Sequence, residues 1–184
     1  MTRQHEEMLE MVKKGSLDHW KSDHHAALAY LILCSQISRI VFKGTAKAYM
    51  FDPYACKLAK SIIADKDRYG KYRIYERLTI ILSLLNSESQ SDAKAGMQAL
   101  RDLRDFAYDS ILMANDIEWY LQKYEQKLKI LATYKRYPDR NPVLGRKNKK
   151  IDGDYLARSE GPLQIVCNND DQYSLDIMLL LETL

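Results

Sequence analysis

Histidines, cysteines and one dense run of cations are the residues of this chain with chemistry to offer. The histidines are His5, His19, His24 and His25. His24 and His25 are adjacent, so on a helix their rings point about 100° apart and cannot share a metal as an i, i+4 pair does. Near a helix start they read as solvated or capping residues, and no metal site is expected. Cys34, Cys56 and Cys167 lie far apart and form no CxxC pair, which suits a reducing compartment. Cys34 sits in the most apolar stretch of the chain, with no basic neighbour in sequence to favour a thiolate. It and Cys56 read as small core residues rather than nucleophiles. Gly44-Thr45 and Gly145-Arg146 are isolated glycine steps, not a phosphate-cradling loop. Residues 135–150 remain, with seven Lys/Arg against one Asp and with Tyr134 and Tyr137 beside them. Cations interleaved with aromatics are what contacts phosphates and stacks a base, which makes Lys135, Arg136, Lys147, Lys149 and Lys150 the candidates for nucleic acid. Charged loops are more often simply solvated, and residues 151–184, with seven Asp/Glu and one Arg, could fold back and neutralise this one.

The elements that must hold these groups are helices. A chain of 184 residues that is 46% hydrophobic and 29% charged suits one globular domain able to bury its own core. Only 7 Gly and 4 Pro interrupt it, so long regular elements are predicted. Met8, Met11 and Val12 share a face that ends at Gly15. Ser22-Asp23 caps a run from His24 to Phe42 that is apolar nearly all round, the mark of a buried helix. Asp52-Pro53 supplies a capping carboxylate and a first-turn proline for the next helix. A break near Tyr69-Gly70 leads to a helix over Tyr72–Leu85, with Leu78, Ile81, Leu82 and Leu85 on its inner face. Asp92 or a neighbour opens a helix through Leu100, Leu103, Phe106 and Ile111. Asn115-Asp116 punctuates, and a last long helix runs from Ile117 to Tyr134 with Leu121, Tyr124, Leu128 and Leu131 inward. Short loops imply antiparallel neighbours. Beyond Pro138 the chain turns polar. A turn of helix is expected at 154–160, an extended run at Leu163–Cys167 and a short apolar helix at Tyr173–Leu184. No apolar stretch is long enough to span a membrane, and Met1–Glu10 does not resemble a targeting signal.

Three segments resemble one family. LILCSQISRIVFKGTAKAYMFDP (31–53) resembles a pattern of a Leu-rich stretch, Asp-Gln-Phe-Pro-Arg-Asn, an aromatic, Arg-Gly-Thr-Ala and Asp-Pro. LLNSE (84–88) resembles its Met-His-Ser-Glu, and RYPDRNPVLGR (136–146) its Arg-Phe-Pro-His-Arg-Asn-x-x-Leu-Gly-Arg. In order and spacing over residues 6–150 this is similar to the TPR-like domain-of-unknown-function family numbered 924. The resemblance implies an all-α, TPR-like stack of antiparallel helical hairpins and no established activity. It also implies one concave place where Gln36, Arg39, Ser87, Glu88, Arg140, Asn141 and Arg146 gather, with Gly44 and Gly145 as turn residues. The departures are Ser35, Ser38 and Ile40 around the first arginine, Asn86 for one histidine and Asp139 for the other. An aromatic-rich N-terminal segment is missing, and residues 151–184 form a C-terminal extension that the resemblance does not cover.

The expected organisation is therefore a helical domain over 1–150 and an extension over 151–184. Loss of both histidines argues against catalysis, since acid–base work needs a group that titrates near neutrality. Glu88 and Asp139 could share a proton. The plainer expectation is that Glu88 pairs with Arg39 or Arg140 and holds helix ends together. The favoured function is a non-catalytic scaffold or accessory subunit binding other proteins within a larger assembly, because hairpin stacks form grooves for peptides and helices. The alternatives are an acidic-ligand site or enzyme gripped by Arg39, Arg140 and Arg146, and RNA binding through 135–150. No cofactor is expected. The compartment is read as intracellular, either the cytoplasm or an organelle such as the mitochondrion.

Overall fold

The computed structural model describes residues 2–107 and 111–157. Cys167, the run 163–167 and the expected terminal helix at 173–184 lie outside them. Among the described residues every regular element is helical. These are α1 (Thr2–Lys13), α2 (His24–Ile32), a π turn (Leu33–Ile37), α3 (Ser38–Val41), α4 (Asp52–Ala64), α5 (Lys66–Gly70), α6 (Ile74–Leu85), α7 (Gln90–Phe106), α8 (Ile111–Tyr134) and α9 (Lys150–Ala157). Short 3₁₀ segments occupy Asp18–Lys21, Ala46–Tyr49 and Pro138–Arg140.

Local chemistry sets most boundaries. Asp23 caps α2 by accepting the Ala26 N–H at 2.8 Å, and Ser89 caps α7 by accepting that of Asp92 at 3.3 Å. The end of α1 is a Schellman turn: Gly15 adopts φ +74°, its N–H bonds Val12, and the Ser16 N–H reaches Met11. The rod expected over His24–Phe42 does run from α2 to α3, but a π turn interrupts it, and such turns recur at functional sites. Asp52 does not cap α4 as expected. Phe51 occupies the cap and Asp52 is the first helical residue, because its carboxylate is drawn inward to an arginine. Nor does Asn115-Asp116 break the chain. The helix α7 ends at Phe106, and α8 starts at Ile111 and runs straight through the pair. Asn and Asp each cost a helix well under 1 kcal/mol. Burying Ile117 recovers more than that, and Tyr75 of α6 donates to Asp116 at 3.0 Å.

Two cores meet at α6. Ile80 and Leu84 face a core built with α1, α2 and α4, which includes Leu9, Leu28, Leu31, Phe51 and Ile62. Leu78, Ile81, Leu82 and Leu85 face a second core with Met97, Leu100, Leu121 and Tyr124 from α7 and α8. Every residue from Leu78 to Leu85 is buried, so α6 is the helix at the centre. Its hydroxyls bond back into the helix, Thr79 to the Tyr75 carbonyl and Ser83 to that of Thr79. The most extensive packing is α6 on α7 and α7 on α8, consecutive short-linked pairs of the hairpin kind. Gly96 lets α7 lie close to α6, since a Cβ there would sit 2.9 Å from the Leu85 side chain and 3.1 Å from Leu84 Cβ. Leu131, Ala93 and Tyr137 form a small third cluster. It brings the chain after α8 back over the α6–α7 turn.

Candidate functional site

Arginine 39 emerges directly after the π turn and is buried, so its charge needs partners. One Nη of Arg39 holds both oxygens of Asp52, at 2.7 and 2.9 Å, and the other bonds the Ser35 carbonyl one turn earlier. Burial pushes the Asp52 carboxyl upward, against the pull of Arg39 and Arg140. A carboxylate accepting two bonds from a guanidinium is nonetheless the ionised form.

Arg140 arrives from the opposite end of the sequence, on the 3₁₀ turn after α8. Its Nη1 lies 3.6 Å from Asp52 Oδ2, and its Nη2 donates to the Asn86 carbonyl at 3.0 Å. Its guanidinium carbon sits 4.4 Å from the Tyr49 ring centre and 4.6 Å from that of Tyr137. Lys127 Nζ also lies near Tyr137, 5.1 Å from that ring, and 4.8 Å from Tyr124. The result is a ladder of alternating rings and cations: Tyr49, Arg140, Tyr137, Lys127, Tyr124. Desolvated cation–ring contacts contribute about 2 kcal/mol each, so the ladder offsets part of the cost of burying these charges. Asn86 Oδ1 closes it by accepting from Tyr124 Oη at 3.2 Å and Lys127 Nζ at 3.3 Å. Burial and the repulsion of Arg140 and Arg39 push the Lys127 ammonium down to about 7.

Arg39, Lys127 and Arg140 are each 7% exposed, and Asp52 is the one carboxylate in ion-pair contact with any of them among the described residues. Asp139 is half-buried nearby and forms no ion pair with them. Hydrogen bonding within the protein is sparse here, although no nitrogen of Arg140 or Lys127 is both fully buried and unpartnered. A guanidinium offers five N–H donors and an ammonium three, yet Arg140 and Lys127 make one hydrogen bond each.

In an adjoining pair the carboxylate is fully engaged, while Arg146 Nε is buried without a partner. Glu88 accepts from Arg146 at 2.8 and 3.0 Å and from the Tyr137 N–H at 2.8 Å. Burial works to raise the Glu88 carboxyl, but Arg146, the Tyr137 N–H and Arg140 hold it below its ordinary value. Glu88 is therefore not poised to share a proton with Asp139, and the partner it was expected to find in Arg39 or Arg140 is Arg146. The loop before Arg146 turns through Gly145 at φ +63°, with the Arg146 N–H bonded to Asn141 and that of Gly145 to Pro142. It is a second Schellman turn, which aims Arg146 at Glu88.

The remaining expected residues lie around this centre. Asn141 belongs to a separate knot, where it, Arg136 and the Lys149 N–H all donate to Asp152. Ser87 holds the α6–α7 turn by accepting the Ser89 N–H. Gln36 is half-buried in the π turn, and its side chain forms no bond to the cluster. Of the basic loop, Lys135, Lys147, Lys149 and Lys150 are exposed, while Arg136 is committed to Asp152 and the Lys147 carbonyl. Cys34 and Cys56 are buried, with thiols pushed up to about 12 and about 11, as expected of core cysteines. His24 stacks on Tyr72 at 4.0 Å. No set of metal-ligating side chains gathers among the described residues.

Sequence reasoning missed Lys127, Tyr49 and Tyr124 as site residues, and gave Asp52 only as a cap and Tyr137 only as a base-stacking ring. A signal existed for Lys127: it stands three residues after Tyr124 and four before Leu131, on the inner face of α8. An open groove of about 880 Å³ between α1 and α4 is also basic. There Lys21 pairs with Asp18, Lys13 pairs with Glu10 and Arg68 caps the Lys21 carbonyl, while Lys14 and Lys57 line the groove without an ion pair among the described residues; these cations stand at an open surface, where water screens them.

These features define an all-α protein that encloses a buried, under-compensated cation cluster where α3, α4 and α8 meet the loop after α8. The chain belongs to the family described as "Bacterial protein of unknown function (DUF924)", whose model matches residues 1–160. A solved structure of a protein of unknown function from Agrobacterium tumefaciens is similar, with a TM-score of 0.59 and 22% identity over 84% of this chain and 80% of that one. At that identity the likeness concerns the fold alone. Comparison with curated proteins finds none that matches. No helix among the described residues is long and apolar enough to cross a membrane.

Proposed function

We propose that this protein is a binding domain for a small anion, carried on a TPR-like helical stack, with Arg140 and Lys127 as the ligand-facing cations. One observation carries the reading: three buried cations, Arg39, Arg140 and Lys127, share a single ion-paired carboxylate, Asp52, which is already claimed by Arg39. Buried charges in folded proteins are rarely left under-compensated. An anion entering between the cations would supply the missing charge, and the rings hold the cations in place beforehand, which lowers the cost of ordering them on binding. The expectation of a scaffold for protein partners rests on the TPR-like stack, the lost histidines of the polar cluster and the apolar segment at 173–184, which lies outside the described residues. An intracellular setting agrees with the buried free cysteines, and the description of the family as bacterial stands against the mitochondrion.

Thermal unfolding with added phosphate, sulfate or citrate at constant ionic strength tests the reading. A ligand at a hundred times its Kd stabilises by about 2.7 kcal/mol. The expected result is a saturable rise in Tm that Arg140→Gln abolishes. A rise that tracks ionic strength alone, or that is equal in wild type and Arg140→Gln, refutes it.

A further inference from the structure

Lysine 127 is placed unlike a structural charge. A buried ammonium kept for stability is normally paired with a carboxylate, yet Lys127 has no ion pair among the described residues. Its one hydrogen bond runs to a neutral amide oxygen, Asn86 Oδ1, at 3.3 Å. The charged groups facing it are Arg39 on α3, Arg140 and Asp139 on the 3₁₀ turn, and Asp52 on α4. Burial and the two arginines outweigh the two carboxylates, so the amine is partly unprotonated at neutral pH. Tyr124 and Tyr137 wall it on two sides. An amine desolvated among rings and flanked by other cations is the environment that turns a lysine into a nucleophile.

We propose that Lys127 condenses with the carbonyl carbon of a small anionic aldehyde or ketone whose acid group is held by Arg140. This rests on the anion site proposed above and names the class of its ligand. The lone pair of Nζ attacks the carbonyl carbon, the C–N bond forms, and the C=O π electrons pass to oxygen, which takes a proton from the nitrogen. Loss of that hydroxyl as water, with the second amine proton, leaves a C=N bond. Amine and carbonyl thus become imine and water, with no oxidation or reduction.

The experiment incubates the full chain at pH 7 with glyoxylate, an anionic aldehyde, in the presence of cyanoborohydride, which reduces an imine to a stable secondary amine. Peptide mass mapping then locates the carboxymethyl group. With Lys127 titrating at about 7, about half of it is neutral at pH 7, against roughly one part in three thousand for an ordinary lysine. Labelling of Lys127 at least about ten-fold faster than of exposed Lys135 or Lys147 is expected, even after a large reduction for restricted access. Phosphate should slow it at Lys127 and not at Lys135, and Lys127→Met should remove that label alone. If phosphate raises Tm but Lys127 labels no faster than Lys135, the imine is refuted and the anion site stands. If Lys127 labels fast but phosphate neither competes nor stabilises, Arg140 does not guide the carbonyl, and both proposals fall. Absence of both effects refutes both as well.

Discussion

Asp52→Asn is the sharpest probe of the cluster, because it keeps the shape of the side chain and removes its charge. Asp52 accepts from Arg39 at 2.7 and 2.9 Å and lies 3.6 Å from Arg140, and all three residues are buried. Removing one partner of a buried pair costs about 3–5 kcal/mol, because the remaining charge is left uncompensated. The asparagine oxygen can keep one of the two bonds, which favours the lower end, about 3 kcal/mol. For a domain of this size that corresponds to a fall in Tm of roughly 6–12 °C. Urea unfolding followed by circular dichroism should show a lowered midpoint at unchanged m. The variant also has one more net positive charge at the site, so phosphate should stabilise it more than it stabilises wild type. A loss below about 1 kcal/mol would mean that Asp52 does not hold the arginines. Equal phosphate responses would mean that added anions never reach them.

Three further outcomes follow from the same geometry. Lys127 titrates at about 7 in the fold against an ordinary value of 10.5, so between those values the unfolded chain binds the proton that the folded chain has lost, and stability rises with pH. Lys127→Met should therefore exceed wild type by a few kcal/mol at pH 7, since each pH unit between the folded and unfolded values is worth about 1.4 kcal/mol, with the gap closing toward pH 10; parallel pH profiles would contradict this. Glu88→Gln removes the charge and one of the two oxygens that accept from Arg146 and the Tyr137 N–H and should cost about 2 kcal/mol at pH 7. Because the folded Glu88 carboxyl is held below its ordinary value, its contribution is present above that value and lost as pH falls through the lowered one, so wild type and variant should converge in acid melts. Gly96→Ala gains about 1 kcal/mol of helix propensity but presses on Leu85 and Leu84, where overpacking costs about 1–3 kcal/mol; a net loss in urea midpoint is expected, and a gain would show that α6 and α7 separate freely.

Much of the helical layout was legible because its signals are local. Asp23, Gly15 and Pro53 act within one turn of where they stand, and the apolar period of α7 and of the later part of α8 needs no partner to be recognised. The errors came where a distant residue competed with a local preference. Asp52 stands beside a proline in a capping position, yet Arg39 attracts it more strongly than orphan N–H groups do. Asn115-Asp116 reads as a stop until α6 offers Tyr75 and a core offers a place for Ile117. Burial of all eight residues from Leu78 to Leu85 required two cores, one on each side, and one helix's period suggests only one.

The site divides in the same way. The sequence determined that this is an all-α chain with its arginines at helix ends and loops, because helix propensity, caps and glycine turns are properties of neighbouring residues. It also determined, through the 136–146 motif, that the chain would turn at Gly145 just before Arg146. Only the tertiary structure decided which charges meet. Arg39 and Arg140 stand far apart in sequence, and folding α8 back over α6 places both at Asp52. The same folding withdraws Lys127 from water beside those arginines, which lowers its proton affinity. A lysine's charge is a property of its surroundings, and those surroundings here come from α3, α4, the end of α6, α8 and the loop beyond it.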